Sequence, residues 1–187
     1  MDILRVSTYE MPFESAKIVI VSDTHMPRMS KALPPALIDG LQNADLILHA
    51  GDWTKPEVYD LLVAYAPVEG VAGNNDGPDI VERWGYRRIV EIAGRRIGLT
   101  HGHLGKGHTP DNAAAAFDNE NVDLIIFGHS HIPFFSEHER AGNRPATPLF
   151  NPGSPTDKRR QPQFSFGILT LSVGSLFCKH CFYDSKQ

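Results

Sequence analysis

One stretch, from Lys17 to His25, constrains the fold more than any other, because an apolar run ends abruptly in two residue types that bind metals. Residues 18–21 are all branched and apolar, which is typical of a central strand covered by helices on both faces. Asp23 and His25 follow, and residues two apart in extended chain project to the same side. The stretch therefore predicts a buried strand with two ligands at its carboxyl end. Alone, the pair also fits a capping Asp beside a partly buried His.

The same arrangement, an apolar run that ends in Asp, Asn or His, recurs four more times along the chain. The four further groups are Gly51-Asp52, Gly73-Asn74-x-Asp76, His101-Gly102 and Gly128-His129-x-His131. Strand ends in an open α/β sheet gather at one edge, so we expect the five groups to meet there. The candidate ligands among them are two carboxylates, Asp23 and Asp52, one amide oxygen and four imidazoles. Histidines buried in a core would each need a separate hydrogen-bond partner, so the set favours a site for two metal ions.

The order of the predicted elements indicates an α/β fold of two sheets with helices outside. Strands are predicted at 17–21, 45–50, 68–72, 87–92, 96–99, 122–127, 134–139, 164–171 and 175–183, and helices at 34–41, 56–66 and 110–119. The early alternation of strands and helices implies right-handed crossovers and a parallel sheet, whereas the chain after Pro133 is predicted to be antiparallel. The length fits one domain over residues 1–187, in which residues 1–16 are an N-terminal extension of unknown role.

Net charge and hydropathy argue against nucleic-acid and membrane partners. The formal net charge is −4 and no long basic tract occurs, so duplex nucleic acid is not an expected partner. The chain has no signal-peptide pattern and no apolar run of transmembrane length, which predicts a cytoplasmic protein without a membrane partner. Cys178 and Cys181 lie in a predicted strand, where residues three apart face opposite sides, so we expect two unlinked cysteines.

The five groups, in this order and spacing, resemble the motifs of the calcineurin-like metallophosphoesterase superfamily. The short chain, with Asn151-Pro152-Gly153-Ser154 near its C-terminal side, is similar to the small bacterial and archaeal phosphodiesterase branch, over roughly residues 17–183. The resemblance implies a four-layer αββα sandwich of two mixed sheets flanked by helices. It also implies a ligand set in which one metal takes Asp23, His25 and His131, the other takes Asn74, His101 and His129, and Asp52 bridges the two. Mixed nitrogen and oxygen ligands favour Mn, Fe, Zn, Co or Ni over Ca or Cu(I), and the resemblance makes Mn the first expectation.

The resemblance further implies hydrolysis of small or nucleotide-like phosphodiesters. A water shared by two divalent ions loses its proton near neutral pH and can attack phosphorus in line. Two such ions exceed the charges of Asp23, Asp52 and one hydroxide by about one positive charge, which favours a singly charged diester over a doubly charged monoester. Two alternatives stay open: a phosphomonoesterase with the same ligand set, and a non-catalytic interaction module similar to the retromer subunit that shares this fold. A homo-oligomer is compatible with the sequence.

The sequence departs from the family pattern at Asn75, where His or Cys usually follows the ligand Asn. An amide donates a hydrogen bond but cannot protonate a departing alkoxide, so this position leaves the general acid in doubt. Asn75 and His103 are our candidate catalytic residues. His49, at the end of a buried strand, is either a further acid or a support for the ligands.

Two arginines are candidate substrate-binding residues. Arg28 follows the first ligand pair, and Arg159 lies in the short basic run 158–160, which could hold a distal phosphate or ribose. A solvated surface is the alternative for both. Trp53, directly after Asp52, either stacks on a base or packs in the core.

Overall fold

The computed structural model describes residues 3–10, 15–138 and 146–187 and contains two mixed β-sheets. The first sheet consists, in spatial order, of β1 (Arg5–Tyr9), β5 (Arg87–Ile92), β6 (Arg95–Thr100), β7 (Leu124–Ile126), β9 (Thr147–Asn151) and β8 (Phe134–His138). The second sheet consists of β11 (Ser175–Tyr183), β10 (Phe164–Ser172), β2 (Ser15–Val21), β3 (Leu46–His49) and β4 (Val68–Gly70). The helices of the described residues are α1 (Pro35–Leu41), α2 (Glu57–Val63), α3 (Pro78–Trp84) and α4 (Thr109–Ala115).

Three apolar clusters show that these elements form four layers. The cluster between the sheets joins alternate residues of β2 and β3, such as Ile20, to residues of β5, β6 and β7, such as Leu99. The other apolar residues of β2, such as Val19, pack with α1, α2 and α3 on the outer face of the second sheet. The third cluster joins β5 and β7 to α4. The fold is therefore the expected αββα sandwich, and β2 is a central strand with apolar side chains on both faces.

Proline marks the first turn of three of the four described helices, α1, α3 and α4. A proline at this position leaves no backbone N–H unsatisfied, and its fixed φ suits a helix. α3 was not predicted, although Pro78 gives the same signal as Pro35. Its Ile80 and Trp84 pack into the outer cluster of the second sheet, so α3 buries a short apolar face directly after a ligand loop.

The N-terminal segment contains a strand that the sequence pattern did not predict. β1 pairs in parallel with β5, and its side chains alternate between exposed and half-buried, so it carries little apolar periodicity. The Tyr9 hydroxyl donates to Glu69 in β4 (2.9 Å), and Glu69 pairs with Arg88 in β5 (2.7 Å). β1 thus joins the edges of both sheets. Residues 1–2 and 11–14 of the expected extension lie outside the described residues.

β9 was also not predicted, and it corrects the expected strand directions. It pairs in parallel with β7 and antiparallel with β8, so the expectation that the chain after Pro133 is entirely antiparallel is wrong. Pro148 within β9 removes one backbone donor and hides the strand from pattern recognition. Glu139, the last residue of the predicted strand 134–139, lies outside the described residues.

The ligand loops of both sheets meet at one edge of the sandwich. Asp23 N–H donates to Gly51 O (2.9 Å), which joins the loops after β2 and β3. Gly128 N–H donates to His101 O (3.2 Å), which joins the loops after β6 and β7. The loop after β7 also reaches the loop after β2, because His129 N–H donates to Asp23 Oδ2 (3.0 Å). The expected convergence of strand ends is therefore present.

Two further expectations concern the cysteines and membrane spans. Cys178 packs beside the cluster between the sheets and Cys181 beside the outer cluster, so the two thiols face opposite sides and form no disulfide. Within the described ranges, no helix is both long and apolar enough to cross a membrane.

Candidate metal centre

Five of the seven predicted ligands converge on one buried point. His131 Nε2 lies 3.3 Å from Asp23 Oδ1 and 3.3 Å from His25 Nε2. Asp52 Oδ2 lies 3.5 Å from His25 Nε2 and 3.3 Å from His101 Nε2. These atoms form two groups, and within each group the ligand atoms all lie within 4.8 Å of one another. The first group comes from Asp23, His25 and His131 and the second from Asp23, Asp52 and His101. Asp23 belongs to both groups, whereas Asp52 Oδ2 approaches a histidine of each.

Asp23 is held so that only one of its oxygens faces the histidines. Oδ2 accepts hydrogen bonds from Ser22 Oγ (2.7 Å) and from His129 N–H (3.0 Å). Oδ1 is buried and makes no hydrogen bond within the described residues, although it points to His131. The local chain thus fixes the carboxylate orientation and leaves one oxygen available to a ligand.

Asp52 is oriented by the loop that follows β4. Asn75 donates to it twice, from N–H to Oδ1 (2.8 Å) and from Nδ2 to Oδ2 (2.6 Å). Asp76 in turn accepts from the N–H groups of Asp52 (2.9 Å), Thr54 (2.7 Å) and Gly73 (2.7 Å). The structure therefore places Asn75 against the carboxylate of a predicted ligand. Asp76, which we had noted only as part of a motif, organises the loop.

Two histidine rings present Nε2 to the cluster because Nδ1 is engaged elsewhere. His101 Nδ1 donates to Ala50 O (2.7 Å), and His131 Nδ1 donates to Asp157 O. A hydrogen bond from one ring nitrogen fixes the orientation and leaves the other nitrogen to bind a metal.

The backbone at the ligands is strained. Positive φ values occur at five predicted ligands, all of them non-glycine: Asp23 (55°), His25 (45°), Asp52 (60°), His129 (69°) and His131 (60°). Such conformations cost on the order of 1 kcal/mol or more each and persist where the surrounding structure enforces them. Their concentration here indicates a functional requirement.

Glycine lets the backbone approach both carboxylates closely. A Cβ atom on Gly73 would lie 2.1 Å from Asp52 Oδ1, and one on Gly128 would lie 1.9 Å from Ser22 Oγ and 2.8 Å from Asp23 Oδ2. Neither position could carry a side chain without displacing a ligand. These two glycines therefore help to set the carboxylate positions.

Burial and mutual charge shift the proton affinities within the cluster. Burial lowers the pKa of His101, but the approach of the Asp52 carboxylate and the charge of Asp23 outweigh it and raise the pKa to about 9. Burial raises the pKa of Asp52, but His101 and the two donors of Asn75 outweigh it, so this pKa is strongly lowered. Burial is the largest cause of the lowered pKa values of His25 and His129. At neutral pH the cluster therefore contains a charged pair, His101 and Asp52.

The structure separates the alternatives for His49 and Trp53. His49 is fully buried, with hydrogen bonds at both ring nitrogens, and burial lowers its pKa well below the usual value. Such a residue supports the loops and does not reach a leaving group. Trp53 stacks on His49 (3.7 Å between ring centroids) and donates from Nε1 to Val71 O (2.8 Å), so it packs in the core.

The other predicted site residues lie around the cluster. His129 is half-buried, with its ring centroid 5.2 Å from that of His101, and Asn74 is exposed on the adjoining loop. The half-buried ring of His103 lies 5.4 Å from His101 and 6.3 Å from His129.

The two candidate arginines are both exposed. Arg159 is near enough to His129 for its charge to add to the lowering of that pKa, after burial and His101.

The segment 151–157, whose Asn-Pro-Gly-Ser motif the sequence analysis used only to identify the family branch, is hydrogen-bonded to the ligand loops. Ser154 Oγ donates to Asp23 O (2.8 Å), and Thr156 Oγ1 donates to Thr24 O. Asn151 Nδ2 donates to Gly128 O (2.8 Å). The carbonyl of Asp157 accepts from His131, as described above. We name residues 151–157 the support loop; the Asn-Pro-Gly-Ser motif was the signal that could have identified it.

The donor set fits divalent transition metals. Around an ion bound at about 2.1 Å, neighbouring ligand atoms lie roughly 3 to 3.5 Å apart, and the separations here are 3.3 and 3.5 Å. Asp23 Oδ1 is buried 3.9 Å from His101 Nε2 and makes no hydrogen bond within the described part of the chain. Buried polar atoms are normally satisfied, so such an oxygen is expected where an ion binds.

The fold and the cluster together define a four-layer αββα sandwich with a candidate metal site at its strand ends. The sequence model of the calcineurin-like phosphoesterase superfamily domain matches residues 16–174. The chain belongs to this superfamily.

Individual relatives agree with this assignment. A probable metallophosphoesterase of Methanothermobacter thermautotrophicus is 38% identical over 143 residues, which cover 76% of this chain and 78% of the relative. A phosphodiesterase of Methanocaldococcus jannaschii is 28% identical over 135 residues, which cover 65% of this chain and 76% of the relative.

Solved structures show the same fold. Vps29 from Cryptosporidium parvum superposes with a TM-score of 0.68 at 18% identity and covers 92% of this chain and 100% of that one. Vps29 from Entamoeba histolytica, described as complexed with zinc, has a TM-score of 0.63 at 26% identity and covers 89% of this chain and 98% of that one.

Proposed function

We propose that the protein is a metal-dependent phosphodiesterase that hydrolyses small or nucleotide-like phosphodiesters. The observation that carries this proposal is the buried cluster of two aspartates and three histidines, in which Asp23 Oδ1 makes no hydrogen bond within the described residues. Membership of the superfamily and the relative named as a phosphodiesterase support the reaction class.

The proposed ligand assignment divides seven residues between two ions. One ion is held by Asp23, His25 and His131, and Asp52 is shared with the other. The second ion is held by His101, His129 and Asn74. When bound, the ions activate a water molecule as the nucleophile and neutralise charge on the phosphate oxygens. Manganese is the first candidate, with Zn, Fe, Ni and Co as alternatives.

The chain's own residues prepare this site in three ways. Asn75 orients the Asp52 carboxylate through its two hydrogen bonds and, after His101, helps to lower the pKa of Asp52. Ala50 O and Asp157 O hold the rings of His101 and His131 with Nε2 toward the cluster. Arg159 places a positive charge on the exposed side near His129, where an anionic substrate would approach.

Two measurements test the proposal. Protein reconstituted with Mn²⁺ should contain two ions per chain and should hydrolyse bis(p-nitrophenyl) phosphate faster than p-nitrophenyl phosphate. Asp52→Asn should weaken the binding of both ions, whereas Asp60→Asn, an exposed aspartate on α2, is the matched control and should change neither. One ion or none in the wild type would refute the dimetal assignment, and faster turnover of the monoester would replace the diesterase by a phosphomonoesterase.

A non-catalytic interaction module is the second candidate, because the fold likeness to Vps29 extends over almost the whole chain. Absence of turnover for every phosphoester, with metal bound, would favour it. A panel of cyclic nucleotides, dinucleotides and glycerophosphodiesters assayed with Mn²⁺ would then identify the substrate or eliminate the diesterase.

A further inference from the structure

His49 is a polar residue in a position where an apolar residue would pack at lower cost. It ends β3, whose four side chains are all buried, and its own ring is completely inaccessible. The ring stacks on Trp53 with an interplanar angle of 11°, so one face already makes an apolar contact. Burying an imidazole is unfavourable unless its nitrogens are hydrogen-bonded. The identity of its two partners therefore indicates what the residue does.

Both hydrogen bonds of His49 go to ligand loops. Gly51 N–H donates to Nδ1 (3.2 Å), and Nε2 lies 3.1 Å from Thr24 Oγ1. A backbone amide can only donate, so Nδ1 carries no proton, and in the neutral ring Nε2–H donates to Thr24. Gly51 directly precedes Asp52, and Thr24 lies between Asp23 and His25.

The Thr24 hydroxyl links the His49 ring to the backbone of Asp52. After accepting from His49, it is free to donate, and Asp52 O lies 3.5 Å away. The backbones of the two loops are also paired, since Asp23 N–H donates to Gly51 O (2.9 Å) and His25 N–H to Asp52 O (3.0 Å). His49 thus connects two loops that backbone hydrogen bonds already align.

We propose that His49 is a positioning residue that sets the separation of the ligand pair Asp23 and His25 from Asp52 by bonding Thr24 and Gly51 at the same time. This inference rests on the ligand assignment of the proposed function. It goes beyond that assignment because the His49 ring bonds to Thr24 and Gly51, which are not among the proposed ligands. Its effect should therefore appear in metal affinity before any reaction step.

The test measures Mn²⁺ affinity by calorimetry in the complete protein. His49→Phe keeps a ring for stacking on Trp53 and removes both hydrogen bonds, and it should weaken binding about tenfold or more, as loss of supporting contacts around metal ligands typically does. Thr24→Val removes only the hydroxyl and should weaken binding a few fold to about tenfold. In the double variant the second substitution should add little, because both remove the same bond.

A matched control separates positioning from general destabilisation. Leu62→Ala creates a defect in the same outer apolar cluster without touching the ligand loops. It should lower the melting temperature of the metal-free protein and leave the Mn²⁺ dissociation constant unchanged. His49→Gln, whose amide can still donate to Thr24, should recover part of the affinity lost in His49→Phe.

The outcomes distinguish the two proposals. If the wild type binds Mn²⁺ and both His49→Phe and Thr24→Val bind it equally well, the positioning role is wrong and the proposed metal site stands. If the losses of Mn²⁺ affinity in His49→Phe and Thr24→Val simply add in the double variant, the two residues do not act through their shared hydrogen bond and this part of the proposal is wrong. If the wild type binds neither Mn²⁺ nor Zn²⁺, both proposals fail. Thr24→Val alone carries the test if His49→Phe does not fold.

Discussion

Raising the pH from 6.5 to 9 should tighten metal binding and, over the same range, weaken the metal-free fold. Both effects follow from His101, whose pKa the buried Asp52 and Asp23 carboxylates raise to about 9 in the metal-free protein. His101 Nε2, the atom proposed to bind metal, holds this proton because Nδ1 donates to Ala50 O. A metal ion must displace it.

Rising pH has opposite effects on metal affinity and on the stability of the metal-free protein. Displacement of one proton from a group of pKa about 9 lowers the apparent dissociation constant about tenfold between pH 7 and 8, and the gain ends above about pH 9. In the metal-free protein the folded pKa exceeds the unfolded value of about 6.5. The resulting stabilisation is complete below about pH 6.5 and is lost as the pH rises through 9, for a total of about 3 kcal/mol.

Calorimetric titration with Mn²⁺ at pH 8, in two buffers of different protonation enthalpy, counts the protons released. Solvent in the site can also lose a proton, so the diagnostic quantity is the difference between the wild type and His101→Gln, which should be about one proton per chain. His180→Gln is the control, because burial lowers the pKa of His180 and leaves it neutral at pH 8. Denaturant unfolding of the metal-free protein measures the second effect. Equal proton release in the wild type and His101→Gln, or a metal-free stability that rises toward pH 9, would refute the reasoning.

Three further predictions concern single positions. Asn75→His should raise the ratio of alkoxide-leaving to nitrophenyl diester turnover by about a hundredfold, because only the former need a general acid, while loss of the Nδ2 bond to Asp52 lowers both rates; an unchanged ratio between the two substrates would contradict it. Gly73→Ala should weaken the binding of both ions, because its Cβ would meet Oδ1 of the shared ligand Asp52 at 2.1 Å, whereas Gly77→Ala, with open space around it, should bind normally in the same titration. Arg159→Ala should raise KM for diesters several-fold with little change in kcat, and a loss confined to kcat would exclude a binding role.

The sequence predicted those parts of the site in which residue type and strand periodicity coincide. β2 and β3 are apolar on both faces, so their ends could be located, and Asp23, His25 and Asp52 follow those ends directly. The support loop could not be derived in this way, because Ser154 acts through the backbone carbonyl of a residue 131 positions earlier in the chain. β1 was not predicted because an edge strand whose side chains are exposed or half-buried has little apolar periodicity.

The unfavourable free energy of the ligand cluster explains where the cluster lies in the fold. Five ligands in left-handed backbone conformations cost on the order of several kcal/mol together, and a buried carboxylate oxygen that makes no hydrogen bond to any described residue adds to this. Loops at the periphery of a fold would relax such strain. Here the loops continue directly from β2 and β3, whose side chains pack on both faces in two separate apolar clusters. Burial of these strands holds the loops in place, so the cores on both sides of β2 supply the stability that the strained ligand geometry consumes.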